Sequence, residues 1–379
     1  MLALYVLLQF TTALLPPQTA PVFKAQTIDA NISIGYGLAL TDVDGDGKPD
    51  IVLADKKQFV WYRNGDWKRF VMIENLTERD NVCIAARDLD GDGKAEIAVG
   101  AQWNPGETSD VSKSGSVHYL VRPADPTQMW TAISLHHEPT IHRMQWVKTN
   151  NGFYLVVVPL HGRGNANGEG RGVKIIGYKF PATPAAEWST VVLDSTMHLT
   201  HNLTLLPNSK NNAQEVFIGG KEGVKKITDI GTRPRTEAMP GMDRAVGELR
   251  TGKVNGQPIF ATIEPMHGTT VAVYHLGKKT SRQVLDEQLK EGHALASADF
   301  MGLGSDQVVA GWRMPDSNNK TGIKLYVPGA SANWTSHWID ENGIATEDLQ
   351  VLDMNGDGKP DIVAAGRATK NLKIYWNRN

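Results

Sequence analysis

The 379-residue chain has one cysteine, Cys83, so no internal disulfide can form. That residue lies in an apolar run and reads as a buried, inert thiol. An excess of one charge sign is also missing. The formal net charge of -2 gives no reason to expect nucleic acid or an anionic membrane as partner. No long run with a 3.6-residue period is present, so helix should be scarce. The apolar stretch Leu2 to Leu15 is too short for a comfortable membrane span. With the small-residue region up to Ala20 it reads as a secretory signal over residues 1–20. The expected mature protein is secreted or periplasmic, with no stable membrane insertion once the signal is removed. A Ser-His-Asp signature, a phosphate-binding loop and a paired-carboxylate glycosidase motif are all lacking.

What the chain does have is a recurring acidic loop. Asp42-Val-Asp-Gly-Asp-Gly-Lys-Pro-Asp50 returns as Asp88-Leu-Asp-Gly-Asp-Gly-Lys-Ala-Glu96 and as Asp353-Met-Asn-Gly-Asp-Gly-Lys-Pro-Asp361. A degenerate copy is Asp299-Phe-Met-Gly-Leu-Gly-Ser-Asp306. Each copy joins two short apolar, β-rich runs, which is the signature of a repeat fold. After the first loop, Asp50 to Ala54, Gln58 to Arg63 and Trp67 to Ile73 read as strands, and Asn81 to Ala86 opens the next unit. Inner strands beginning near Gly35, Asn81, His142, His201, Arg244, His293 and Thr346 count seven units. Phe23 to Ile28 has the pattern of an outermost strand but stands alone at the N-terminus. The chain ends one strand short of a full unit. The expected fold is therefore all-β, a seven-bladed propeller over residues 21–379, closed by the N-terminal strand in the last blade.

In each acidic loop, oxygen-bearing side chains at alternate positions, with glycines allowing a sharp turn, can wrap a hard cation. The expected ligands are Asp42, Asp44, Asp46 and Asp50; Asp88, Asp90, Asp92 and Glu96; and Asp353, Asn355, Asp357 and Asp361. Calcium, or magnesium in its place, is expected to staple the turn rather than take part in chemistry. These loops resemble the FG-GAP/VCBS repeats of integrin-type and bacterial propellers.

In a four-stranded meander the acidic loops occupy one face. The connections between blades, and between second and third strands, occupy the other. Of 11 histidines, eight fall on that second face: His136, His137, His142, His161, His198, His201, His267 and His293. Residues opening each inner strand point to the axis, so His142, His201, Arg244 and His293 are expected to converge around one funnel. Trp103, His137, His161, Arg163, His267, His293, Trp312 and Arg313 are expected to contact substrate from the surrounding loops. Imidazoles suit zinc, or magnesium as the alternative, at the axis, and they also serve as general bases near neutrality.

The cluster His137-Glu-Pro-Thr-Ile-His-Arg143 in a seven-bladed propeller resembles the propeller domain of the aldos-2-ulose dehydratases, which act on 1,5-anhydro-D-fructose. The resemblance implies a hydro-lyase reaction on a ketosugar, with His142 as base, Arg143 or Arg244 holding the enediolate, and His201 as acid or metal ligand. The expected partner is a small sugar or oligosaccharide. A polysaccharide lyase or rhamnosidase-like propeller is the second reading, and a non-enzymatic adhesion or glycan-binding propeller the third.

Overall fold

The computed structural model describes residues 20–208, 213–329 and 333–379. The expected signal over residues 1–20 lies almost wholly outside them. Among the described residues, 28 strands, numbered β1 to β28 along the chain, form seven four-stranded antiparallel sheets. No helix among them is long and apolar enough to cross a membrane.

The seven innermost strands are β2 (Gly37–Thr41), β6 (Cys83–Arg87), β10 (Ile141–Thr149), β14 (Thr200–Pro207), β18 (Glu248–Val254), β22 (Gly292–Ala298) and β26 (Thr346–Leu352). They surround the axis. The second strand of each blade is packed on both faces, so it reads as a continuous apolar run, as in Asp50–Ala54 and Glu96–Ala101, every residue of which is buried. The core lies between blades. Val117 and Tyr119 of one sheet, for example, share a cluster with Trp146, Leu155 and Tyr178 of the next.

Closure follows the expected scheme. β1 (Phe23–Asp29) pairs antiparallel with β28 (Asn371–Asn377), giving a last sheet ordered β1, β28, β27 (Asp361–Gly366), β26. Hydrogen bonds from Val22 N to Asn379 Oδ1 (2.8 Å) and from Arg378 N to Val22 O (2.9 Å) continue the seam. This radial arrangement leaves few free sheet edges.

The acidic loops join the first and second strands of their blades, at the end of the propeller opposite the start of the inner strands. Asp42 accepts from Gly45 N and Gly47 N, and both glycines have positive φ (83° each). The last acid of the loop has a different role. Asp50 is fully buried and accepts from Val43 N (2.9 Å) and Asn64 N (2.8 Å). Asp361 repeats this with Met354 N and Asn377 N. In the degenerate loop a neutral side chain, Gln307, takes the place and accepts from Met301 N. The last acid thus caps backbone donors as well as facing the other carboxylates of its loop.

Candidate functional site

Four inner strands share one irregularity. The pairing of β10, β14, β22 and β26 with the second strands shifts register near the start, around His142, His201–Asn202, His293 and Glu347. The pairings of β2, β6 and β18 run without such a shift. A bulge inserts a residue and re-aims its side chain. Here it turns one polar side chain from each of four blades towards the axis. The surrounding backbone is also unusual. Gln102, Thr140, His267 and Glu291, all non-glycine, have φ between 50° and 56°. Such conformations cost energy and concentrate at functional sites. Gly115 (φ 74°) leaves no room for a side chain, since a Cβ there would stand 2.6 Å from Glu138 O. That close approach presses the Gln102 to Gly115 loop against the bend leading into His142.

The imidazoles form an arc. Ring centroids are 4.6 Å apart for His142 and His201, 5.0 Å for His201 and His267, 5.3 Å for His201 and His293, and 4.8 Å for His267 and His293. Trp103 stands 5.1 Å from His142. Each strand-borne histidine uses Nδ1 on the next blade. His142 Nδ1 bonds His201 O (2.9 Å), His201 Nδ1 bonds Gly247 O (3.2 Å), and His293 Nδ1 bonds Glu347 O. Donating Nδ1–H to a carbonyl fixes the tautomer and leaves Nε2 as an acceptor. Accordingly His201 Nε2 meets His267 Nε2 at 3.1 Å, and Arg143 Nη1 donates to His142 Nε2 at 3.2 Å.

Burial pushes all four imidazoles below their ordinary range, His267 down to about 3, and neighbouring imidazoles and Arg143 add to the effect. They are neutral at neutral pH. One ligand nitrogen each of His201, His267 and His293 lies within 4.8 Å of the others. His201 and His293 donate Nδ1–H to carbonyls while His267 Nδ1 accepts from Arg313 Nη2 (3.3 Å), and three neutral imidazoles gathered this closely suit a divalent ion such as zinc. Asp42, Asp44 and Asp50, and Asp88, Asp90 and Glu96, converge in the same way with oxygen donors, which fits a harder ion.

The well above this arc has a volume of about 260 Å³. Trp103, His142, Arg143, His267, His293 and Arg313 line it, as expected, joined by Tyr36, Glu347 and Arg367. Glu347 is 2% exposed and holds both rim arginines, Arg313 Nη1 at 3.3 Å and Arg367 Nη1 at 3.0 Å. Arg367 lies 5.3 Å over the Tyr36 ring, whose hydroxyl bonds Asp80 (3.1 Å). Burial and Asp80 push the Tyr36 hydroxyl up to about 12.

Two expected members are elsewhere. Arg244 is exposed in the connection before β18, because that strand starts only at Glu248. Glu248 and Arg250 occupy the axial positions instead. Trp312 is fully buried, donates Nε1–H to Lys320 O and packs 5.3 Å from Trp338, so it is core and not a sugar platform. His137, His161 and Arg163 fall in neighbouring loops and are not among the residues lining the well. Arg163 instead pairs with buried Glu138, which Lys174 also holds. Glu248, Glu347, Tyr36 and Arg367 were missed. Aligning inner strands would have found Glu347, which occupies the bulge position of His142 and His293.

The FG-GAP-like repeat matches residues 42–99, and the FG-GAP repeat matches residues 84–120. Aldos-2-ulose dehydratase of Phanerodontia chrysosporium is 22% identical over 343 residues, covering 80% of this chain and 37% of that protein. The chain thus spans little more than a third of that relative's length. Among solved structures, a chain of the mitotic checkpoint complex superposes with a TM-score of 0.58 at 12% identity, covering 100% of this chain and 99% of that one. The rhamnogalacturonan lyase YesW superposes with a TM-score of 0.51 at 14% identity, covering 95% and 75%. The structural likenesses establish the propeller fold. This chain is a seven-bladed β-propeller with FG-GAP repeats in its first two blades, and it resembles aldos-2-ulose dehydratase.

Proposed function

We propose that the axial well eliminates water from a ketosugar of the 1,5-anhydro-D-fructose type. The observation that carries this reading is the convergence of His142, His267 and His293 from different blades on one pocket, with the buried His201 ring packed against all three. The sequence relative named for a dehydratase activity supports it.

The chemistry requires a base for the proton next to the carbonyl, a positive group for the enediolate, and an acid for the departing hydroxyl. His142 is the base. Its Nε2 is an acceptor held by Arg143, so a substrate that draws the guanidinium onto its own oxygen frees the lone pair for the proton. Arg143 and Arg313 hold the developing enediolate, with Arg313 fixed by Glu347 and Glu291. Arg143 keeps the role the resemblance offered it, and Arg313 replaces the alternative, Arg244. The Tyr36 hydroxyl keeps its proton at neutral pH and serves as acid towards the leaving hydroxyl. Trp103 offers an apolar wall against the sugar ring. His201, His267 and His293 would hold a divalent ion such as zinc, which supplies Lewis-acid polarisation of the carbonyl oxygen when bound. Of the two roles the resemblance implied for His201, acid or metal ligand, this takes the second.

The acidic loops hold calcium as structural staples, in keeping with an exported protein. The rim arginines Arg313 and Arg367 also favour a second reading, a lyase acting on uronate-containing glycans, whose carboxylate they would neutralise. Parallel incubation with 1,5-anhydro-D-fructose and with uronate glycans, following ultraviolet absorbance of unsaturated products, separates the two. Absorbance growing only with the glycans overturns the ketosugar reading. No product from either returns the protein to the class of binding propellers.

A further inference from the structure

We infer that the axial channel beneath the histidine well is a separate binding site for a small oxoanion or carboxylate, held between Arg143 and Arg250. The channel has a volume of about 280 Å³ and is lined by the inner strands of six blades. Its wall carries three guanidinium groups, Arg87, Arg143 and Arg250, with the amides of Asn202 and Gln145 between them. Asp348 is the one carboxylate among the described lining residues.

The positive groups are poorly matched within the protein. Arg143 donates to its neighbour's carbonyl, His142 O (3.0 Å), and to His142 Nε2. Arg87 donates to Gln214 Oε1 (2.8 Å) and Trp146 O and lies over Phe153. Among the described residues neither forms an ion pair. Arg250 reaches Glu248 at 3.6 Å, but that carboxylate also serves His201 and Asn202. Asp348 is engaged by two backbone donors, Leu38 N and Leu349 N. Burial raises its carboxyl to about 6, which weakens in mild acid the one negative charge among the described lining residues.

Enclosed charges are normally paired. A tunnel with an excess of one sign and low-dielectric walls concentrates counter-ions. A ligand with several acceptor oxygens satisfies guanidinium forks from two blades at once. Phosphate and a sugar carboxylate share that chemistry. Arg143 lines both cavities, so an anion below competes with His142 for its guanidinium. The inference stands whether or not the well performs the proposed elimination.

Isothermal titration of the intact protein with inorganic phosphate at constant ionic strength tests it. One saturable site is expected. Arg250→Met should weaken it by about tenfold or more, the loss of one charge-assisted contact. Arg313→Gln, in the well, should leave it unchanged. Galacturonate titrated in parallel separates the two sources: binding of either ligand that depends on Arg250 supports the site. Absence of saturation with both, or binding lost in Arg313→Gln and kept in Arg250→Met, overturns it. Should Arg250→Met not fold, a crystal soaked in selenate decides by position: density between Arg143 and Arg250 supports the site, and density only in the well or on the rim refutes it.

Discussion

Glu248 Oε1 stands 3.0 Å from His201 Nδ1, and each side chain is 1% exposed. Burial works against the charged carboxylate, yet the His201 contact and nearby Arg250 and Arg143 hold its pKa down at about 2. His201 is kept neutral by burial. The pair is therefore a buried carboxylate beside a neutral imidazole whose Nδ1 donates to Gly247 O, and the two acceptors together orient the ring as they would a metal-binding histidine. Glu248→Gln should lower zinc affinity by about 10- to 100-fold with little change in melting temperature. Competition against a chromophoric chelator measures it, and Glu248→Asp should restore part of the loss.

Arg244 and Trp312 separate position from residue type. Arg244→Ala removes an exposed side chain and should change stability by no more than about 0.5 kcal/mol, with turnover unaffected. Trp312→Ala opens a cavity in the core and should cost about 3 to 5 kcal/mol. Denaturant unfolding of both variants checks the contrast.

The acidic loops make a prediction about pH. Burial raises the Asp50 and Glu96 carboxyls to about 7 in the ion-free protein. Unfolded carboxyls titrate near about 4. Between these values the folded state holds protons that the unfolded state has released, so ion-free stability falls as pH rises from about 4 to 7. Bound calcium needs the ionised form, so its stabilising effect should grow over the same interval. Melting curves from pH 4 to 8, with calcium and with chelator, should diverge as pH rises. Curves that stay parallel would remove these carboxylates from ion binding.

The fold was legible because its signals are local. The spacing of Asp42, Asp88 and Asp353 set the period, and Phe23 to Ile28 exposed the closure. The identity of the two faces followed from strand alternation. His142, His201 and His293 were legible as axial because each opens an inner strand. Arg244 was misplaced because no acidic loop follows β18 to mark the frame of its blade. Trp312 was misplaced because a tryptophan at a strand end reads the same whether it faces the lumen or the neighbouring blade. Glu248 and Tyr36 gain their roles from contacts with Asn202, His201 and Asp80, which are distant in sequence and invisible to spacing.

Activity should also carry the mark of burial. His142 must be neutral to accept a proton, and burial with Arg143 places its pKa well below the ordinary value of 6.5. The acid limb of kcat/KM should therefore lie below pH 6.5. A limb centred at 6.5 would identify a solvated histidine as the base instead.

The most direct test is the rate of unsaturated product formation from 1,5-anhydro-D-fructose by His142→Ala beside the unaltered protein, with matched melting curves. The account predicts measurable turnover for the unaltered protein and a loss of at least about 100-fold in the variant, the contribution expected of a general base. A variant that folds and retains its rate would contradict it.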